Sequence, residues 1–265
     1  MRVAALQMVS APEVPPNLEA AGRLIAGAAG AGAQLVALPE YFCILGRHET
    51  DKVRAREVEG AGPIQDFLSA AARRHRVWLA GGTVPLECGS AARVRSACLL
   101  FDDAGRRVAR YDKMHLFGLD LGGQKFDESR TIEPGAAPLA VDTPFGRLGL
   151  SVCYDLRFPE LYRAVGAVDL WLVPSAFTAV TGAAHWDTLL RARAIENQCY
   201  VVAPAQGGLH PNGRRTHGHT MIVDPWGVVL ASRAEGEGIV LAEVEPARIA
   251  EVRQSLPALL HRKMP

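Results

Sequence analysis

The sequence predicts one α/β domain containing two sheets. Short apolar runs alternate with helical patterns almost from end to end. No Pro/Ser-rich linker, low-complexity tract or charge run divides the 265 residues. That length allows one to two domains and can bury a sizeable core.

VAALQM at 3–8 reads as a strand and NLEAAGRLIAGAAGAGA at 17–33 as an Ala-rich helix. QLVALPE at 34–40 is a buried strand stopped by Pro39. GPIQDFLSAAARRHR at 62–76 is a helix with proline in its first turn, followed by the strand VWLAGGTVPL. Residues 92–113 form a hairpin around Asp102-Asp103-Ala104-Gly105. LAVDTPFGRLGLSVC at 139–153 leads to a helix near 159–165, the strand DLWLVPSA at 169–176, a helix over 185–198 and the strand YVVAPA at 200–205. TMIVDPWGVVLAS and EGIVLAEV finish the sheet as antiparallel strands, the first pair turning at Asp224-Pro225-Trp226-Gly227. A helix with Pro246 near its start and Pro257 near its end closes the chain, so 246–265 is expected to be a helix and tail. The total is about a dozen strands and about five helices. Residues 34–40 and 169–175 share a strand-then-proline pattern, a faint internal likeness.

The composition, 49% apolar and 22% charged, is ordinary for a soluble globular protein. Twenty-nine basic and 28 acidic residues leave a net charge of +1, without the basic field of a nucleic-acid binder. The longest stretches free of charge, 170–186 and 197–213, contain proline or glycine and several polar groups, so neither reads as a membrane span. The N-terminus reads as a strand, not a signal peptide. Five cysteines, Cys43, Cys88, Cys98, Cys153 and Cys199, are odd in number and lack CxxC spacing, which argues against a disulfide framework or a zinc site. A cytoplasmic chain with no cofactor and no metal is the expectation. His217-Gly218-His219 has no nearby cysteine or carboxylate to complete a ligand set.

Only four basic residues are lysines: Lys52, Lys113, Lys125 and Lys263. Arginine supplies positive charge elsewhere, so a lysine in apolar surroundings is a candidate for chemistry that needs a labile proton. Cys153 ends an apolar run and precedes polar residues and the helix at Pro159. Such a strand-to-helix turn exposes a nucleophile beside backbone N–H groups, although most free cysteines are simply small buried hydrophobes. Glu40 ends a wholly apolar strand, either as a capping or ion-paired group or as a base with a raised pKa. Lys113 ends the hairpin strand; Glu128, read alone, is a loop carboxylate. His115 and His185 could each face a cysteine, but packing or substrate contact fits them better.

Leu-Pro-Glu at 38–40, Asp-Lys-Met-His-Leu at 112–116, Phe-Asp-Glu-Ser at 126–129 and Cys-Tyr-Asp-Leu-Arg-Phe-Pro-Glu-Leu at 153–161, taken in order, resemble the nitrilase superfamily of carbon–nitrogen hydrolases. The resemblance continues through Pro-Ser-Ala-Phe-Thr at 174–178, Arg-Ala-Arg-Ala-Ile-Glu-Asn-Gln at 191–198 and Val-Asp-Pro-Trp-Gly at 223–227, covering nearly the whole chain as one domain. It implies a four-layer αββα sandwich and a Glu40–Lys113–Cys153 triad with Glu128 as a second glutamate.

The chemistry of that set has a physical basis. A thiol is mostly protonated at neutral pH and a glutamate is a weak base. A low-dielectric pocket raises the carboxylate pKa, while an adjacent ammonium favours the thiolate. Glu40 would move the protons, Lys113 and the Tyr154 N–H would hold the oxyanion, and Glu128 would orient Lys113 or the substrate. Tyr154-Asp155 follows the nucleophile where true nitrilases typically have Trp-Glu, so an amidase is expected.

The nearest resemblance is to the deaminated glutathione amidase branch. The expected reaction is hydrolysis of a small carboxylate-bearing amide through a cysteine thioester, with release of ammonia. Arg157 would take the carboxylate unless Asp155 or Glu160 pairs with it, and Phe177 and Thr181 would line the pocket. An omega-amidase acting on 2-oxoglutaramate is the alternative. A non-catalytic scaffold of the same fold has no physical reason to keep a thiol beside two carboxylates. The resemblance also implies a homodimer or larger homo-oligomer, with 159–165 and 256–260 as candidate contacts.

Overall fold

In the computed structural model, which describes residues 1–121 and 123–263, the chain folds as two sheets packed face to face between helices. The first half contains β1 (Arg2–Gln7), α1 (Val14–Gly30), β2 (Leu35–Ala37), α2 (Asp51–Arg54), α3 (Pro63–His75), β3 (Trp78–Ala80), β4 (Val84–Glu87), β5 (Val94–Phe101), β6 (Arg107–Asp112), β7 (Gly118–Leu121) and β8 (Gln124–Asp127). The second half adds β9 (Leu139–Thr143), β10 (Gly146–Leu150), α4 (Pro159–Ala164), β11 (Leu170–Leu172), α5 (Ala179–Asn197), β12 (Tyr200–Ala203), β13 (Gly207–Leu209), β14 (Arg215–His217), β15 (Thr220–Val223), β16 (Val229–Arg233), β17 (Gly238–Glu243), α6 (Pro246–Ser255) and α7 (Ala258–His261).

Sheet one runs β17-β1-β2-β3-β5-β4, with β6 on the other flank of β5; sheet two runs β16-β15-β12-β11-β10-β9. Each sheet is built on three parallel strands, β1-β2-β3 and β10-β11-β12. The strand-then-proline likeness falls on β2 and β11, the middle strand of each trio. Strand periodicity assigns the layers. Val3 and Ala5 belong to the core shared with Leu148, Leu150 and Leu172 of sheet two, while Ala4 and Leu6 pack with Ala21 and Ile25 of α1 and Leu68 of α3. On the far side of sheet two, Tyr162 of α4 and Trp186 and Leu190 of α5 join the shared core. The order is helix, sheet, sheet, helix: the expected αββα sandwich.

Four local expectations need correction. The strand at 77–86 is interrupted: β3 and β4 lie along the same flank of β5, separated by Gly81-Gly82-Thr83. Strand β17 does not extend the sheet of β15 and β16; it crosses to pair antiparallel with β1. Helix α5 starts at Ala179, six residues earlier than expected, because Thr178 caps it by accepting from the Thr181 N–H at 3.3 Å. Seventeen strands and seven α-helices occur among the described residues; much of the excess is short hairpins, β7–β8 and β13–β14, whose polar, glycine-containing sequences carry little apolar periodicity. The expected C-terminal tail includes 264–265, which lie outside the described residues. Among those described, no helix is long and apolar enough to cross a membrane.

Candidate active site

The site lies where β2, β6 and β10 end. Pro39 stops β2 and the chain enters a left-handed turn at Tyr41 (φ 56°). That turn is held by the Tyr41 N–H donating to Thr83 Oγ1 at 2.9 Å and by Gln206 Nε2 donating to the Glu40 carbonyl at 3.0 Å. Gly82 (φ 54°) allows the close approach: a Cβ there would stand 2.0 Å from the Pro39 carbonyl oxygen. The break between β3 and β4 therefore shapes the seat of Glu40.

Lys113 follows β6 directly and is fully buried. Its Nζ donates to Glu40 Oε1 at 2.8 Å and to Glu128 Oε2 at 2.7 Å. The same Glu128 oxygen accepts the Phe117 N–H at 2.7 Å, and Oε1 accepts the Tyr41 hydroxyl at 2.7 Å. Three donors thus fix a carboxylate that, read alone, was a loop residue.

Cys153 sits one turn beyond β10 in a left-handed conformation (φ 48°), its N–H donating to the Pro174 carbonyl at 3.0 Å. A non-glycine residue held there costs about 1–3 kcal/mol and persists only when its surroundings enforce it. Buried Asp155 is the enforcing group: it accepts the Val152 N–H at 2.9 Å, the Tyr111 hydroxyl at 2.7 Å and the His115 N–H at 2.9 Å. Buried Arg193 of α5 adds two bonds to the Leu156 carbonyl, at 3.1 and 2.8 Å. His115 is occupied with Asp155, 2.7 Å away through Nδ1, and with stacking on Phe158; His185 contacts Arg157 at 3.2 Å.

The charges divide the work. Burial raises the Glu40 carboxyl, opposed by Lys113 and reinforced by Glu128. Burial would likewise raise Glu128, but Lys113 and the hydrogen bonds from Phe117 and Tyr41 hold it below the usual carboxylate range. Burial would discharge Lys113, yet the two carboxylates keep it protonated well above its ordinary range. Burial and the Glu40 charge push the Cys153 thiol up despite Lys113 and the Ala176 N–H. The direction is opposite to the thiolate expected from the ammonium alone, because burial and the Glu40 charge outweigh Lys113. Cys153 is therefore held toward the thiol form beside Glu40.

A pocket of about 360 Å³, its open mouth included, is lined by Glu40, Glu128, Cys153, Tyr154, Arg157, Phe177 and Thr181, with Lys113 buried behind them. All eight residues singled out in the sequence are brought together. Arg157 lies over the rings of Phe177 and Tyr154, 5.3 and 5.7 Å from their centroids, and among the described residues no carboxylate is within 4.0 Å of it. The alternative ion pair with Asp155 or Glu160 does not form. Sequence reasoning missed Tyr41, Phe117, Ala176, Thr178 and Arg214, which complete the lining. Tyr41 and Phe117 adjoin known motifs and could have been suspected; Arg214, in a polar hairpin loop, carried no signal. His217 and His219 stack 4.2 Å apart behind this lining, the His217 N–H donating to the Phe177 carbonyl at 2.9 Å, and among the described residues no group of three or more His, Cys, Asp or Glu is placed to hold a metal.

A thiol, a poised carboxylate and a clamped ammonium in an αββα sandwich define a cysteine hydrolase. The model of the carbon-nitrogen hydrolase family matches residues 2–254, and the chain belongs to that family. Its relatives point to amide hydrolysis. It is 46% identical over 265 residues to a deaminated glutathione amidase of Synechocystis, covering 98% of this chain and 97% of that one. The NitFhit protein of Caenorhabditis elegans superposes with a TM-score of 0.90 at 40% identity, covering 99% of this chain and 65% of that longer one. A Saccharomyces cerevisiae member of branch 10 of the nitrilase superfamily superposes with a TM-score of 0.88 at 31% identity, covering 99% and 96%. The protein is an amidase-type hydrolase of carbon–nitrogen bonds.

Proposed function

We propose that the protein hydrolyses a small carboxylate-bearing amide through a Cys153 thioester, and that deaminated glutathione is its substrate. The observation that carries this is the ammonium of Lys113 held 2.8 and 2.7 Å from Glu40 and Glu128 beside the thiol. Glu40 takes the thiol proton as sulfur bonds to the amide carbon. The oxyanion that forms is held by the third N–H of Lys113, the other two being taken by the glutamates, and by the Tyr154 N–H. Glu40 returns the proton to the leaving nitrogen, the C–N bond breaks and the amine departs. Glu40 then takes a proton from water as its oxygen attacks the thioester, and the C–S bond breaks as Glu40 passes that proton to sulfur, giving the acid and restoring the thiol and the carboxylate. Glu128 holds Lys113 in place throughout.

Arg157 offers a guanidinium without a carboxylate partner, suited to a substrate carboxylate. Phe177 supplies an apolar wall and Thr181 a hydroxyl. Deaminated glutathione has no primary amide, so cleaving its link to the 2-oxo acid releases cysteinylglycine. The ammonia expected from the sequence belongs to a primary amide such as 2-oxoglutaramate. Wild type and Cys153→Ala assayed on both compounds test the reading. A higher kcat/KM for deaminated glutathione, with cysteinylglycine as product and an inert variant, is expected; preference for 2-oxoglutaramate overturns it.

The chain is also expected to form a homodimer. Leu256 and Leu260 are exposed, as is Ile195 of the adjacent helix α5, and pairing would cover them. In 159–165, the other candidate contact, Leu161 and Tyr162 are buried in the core and Val165 is partly buried.

A further inference from the structure

The catalytic pocket contains two arginines, and only Arg157 has a role so far. Arg214 approaches from the loop between β13 and β14 and lines the same pocket. Among the described residues its one acidic neighbour within 4.0 Å is Glu49, at 4.0 Å, and Glu49 is held far closer by Lys52, at 2.7 Å. The Arg214 guanidinium instead lies over Phe126, 5.2 Å from the ring centroid. From there a strip of aromatic rings leads from Phe126, just outside the lining, into the pocket: Phe126 to Phe117 at 5.6 Å, Phe117 to Tyr154 at 5.3 Å, and Tyr154 to Arg157 at 5.7 Å. A guanidinium stands at each end of the strip, with three rings between them. Neither is neutralised by a close carboxylate among the described residues, and each is seated on a ring that keeps its planar donor edge free for a ligand. The carboxylates that do face the pocket, Glu40 and Glu128, are engaged by Lys113 and cannot serve as their partners.

We propose that Arg214 forms a second carboxylate subsite, so that the pocket selects an amide bearing one carboxylate on each side of the scissile bond. This rests on the amidase reading above and deepens it. Deaminated glutathione carries two such carboxylates, one on the 2-oxo acid and one on the glycine. 2-Oxoglutaramate carries one and leaves a guanidinium unused. The two arginines therefore act as a ruler for substrate length and charge, with Arg214 a specificity-determining residue.

The test uses binding, so it does not depend on turnover. In the Cys153→Ala background, calorimetry measures deaminated glutathione and two analogues that each lack one carboxylate. These are the glycine carboxamide and 4-oxopentanoyl-cysteinylglycine, in which a methyl group replaces the 2-oxo acid carboxylate. Arg214→Met and Arg157→Met are each expected to weaken the dianion about tenfold or more. The analogues should show crossed insensitivity: one indifferent to Arg214→Met but weakened by Arg157→Met, the other the reverse. Arg214→Lys should restore part of the loss. Equal weakening of all three ligands by Arg214→Met, or no weakening of any, overturns the subsite. Tight, arginine-dependent binding by a wild type that fails to hydrolyse the compound overturns the substrate assignment and leaves the subsite standing.

Discussion

Replacing Glu128 separates charge from geometry in the site. Its carboxylate accepts from Lys113, Phe117 and Tyr41, each at 2.7 Å. Glutamine keeps an oxygen for Lys113 and Phe117 and turns its amide toward the Tyr41 hydroxyl, which can rotate to accept. Alanine leaves the Phe117 N–H, the Tyr41 hydroxyl and one N–H of Lys113 without a partner, at about 1–3 kcal/mol each. With water admitted to the pocket, about 3 kcal/mol or more of lost stability is expected for Glu128→Ala. For Glu128→Gln the lost attraction to Lys113 across 2.7 Å is about 6 kcal/mol at an effective dielectric of about 20. Relief of the carboxylate's desolvation offsets most of that, so the net change should stay below about 3 kcal/mol.

The pH dependence carries a definite sign. Glu128 is held below its ordinary 4.5, so it contributes stability above that pH and loses it as pH falls through the folded value. The stability gap between wild type and Glu128→Gln should be full at neutrality and close below about pH 4.5. Because the Glu128 charge also raises Glu40, the glutamine variant should move the acid limb of kcat/KM to lower pH and slow turnover about ten- to a hundredfold through the weaker base. Urea unfolding from pH 3 to 8 and a pH–rate profile measure both. Equal stability of the glutamine and alanine variants, or an unmoved acid limb, would refute the reasoning.

Glu40→Gln should abolish turnover yet speed labelling of Cys153 by iodoacetamide, because the Glu40 charge opposes the thiolate; peptide mapping should find Cys88 indifferent, and a parallel loss of labelling would contradict this. The buried thiols outside the pocket, Cys43, Cys98 (pushed up to about 12) and Cys199, should stay unlabelled in the native state. Gly82→Ala should destabilise by about 2 kcal/mol or more, from the left-handed strain and the Pro39 contact, and lower kcat by displacing Glu40; a neutral denaturation midpoint would remove the proposed link between the β3–β4 break and the site. Light scattering at micromolar concentration should give a dimer, which Leu260→Glu should weaken; a monodisperse wild-type monomer would exclude it.

Much of this protein is legible in the chain. Period-two and helical patterns located β1, β2, β5, β6, β12, α1 and α3, because a buried strand or amphipathic helix must repeat its apolar residues at the spacing of its backbone. The order of Glu40, Lys113, Glu128 and Cys153 pointed to the chemistry, and Lys113, one of four lysines in an arginine-rich chain and followed by an apolar loop, hinted at a buried ammonium. What sequence could not supply is the sign of the balance among those groups. An ammonium favours a thiolate only until burial and a nearby carboxylate outweigh it, and whether Glu40 does so depends on how closely distant segments of the chain pack around the thiol. The crossing of β17 to β1, the Gly82 approach to Pro39 and the arrival of Arg214 at the pocket are of the same kind. Each joins segments distant in sequence through a contact that leaves no periodic trace, so tertiary packing alone decides it.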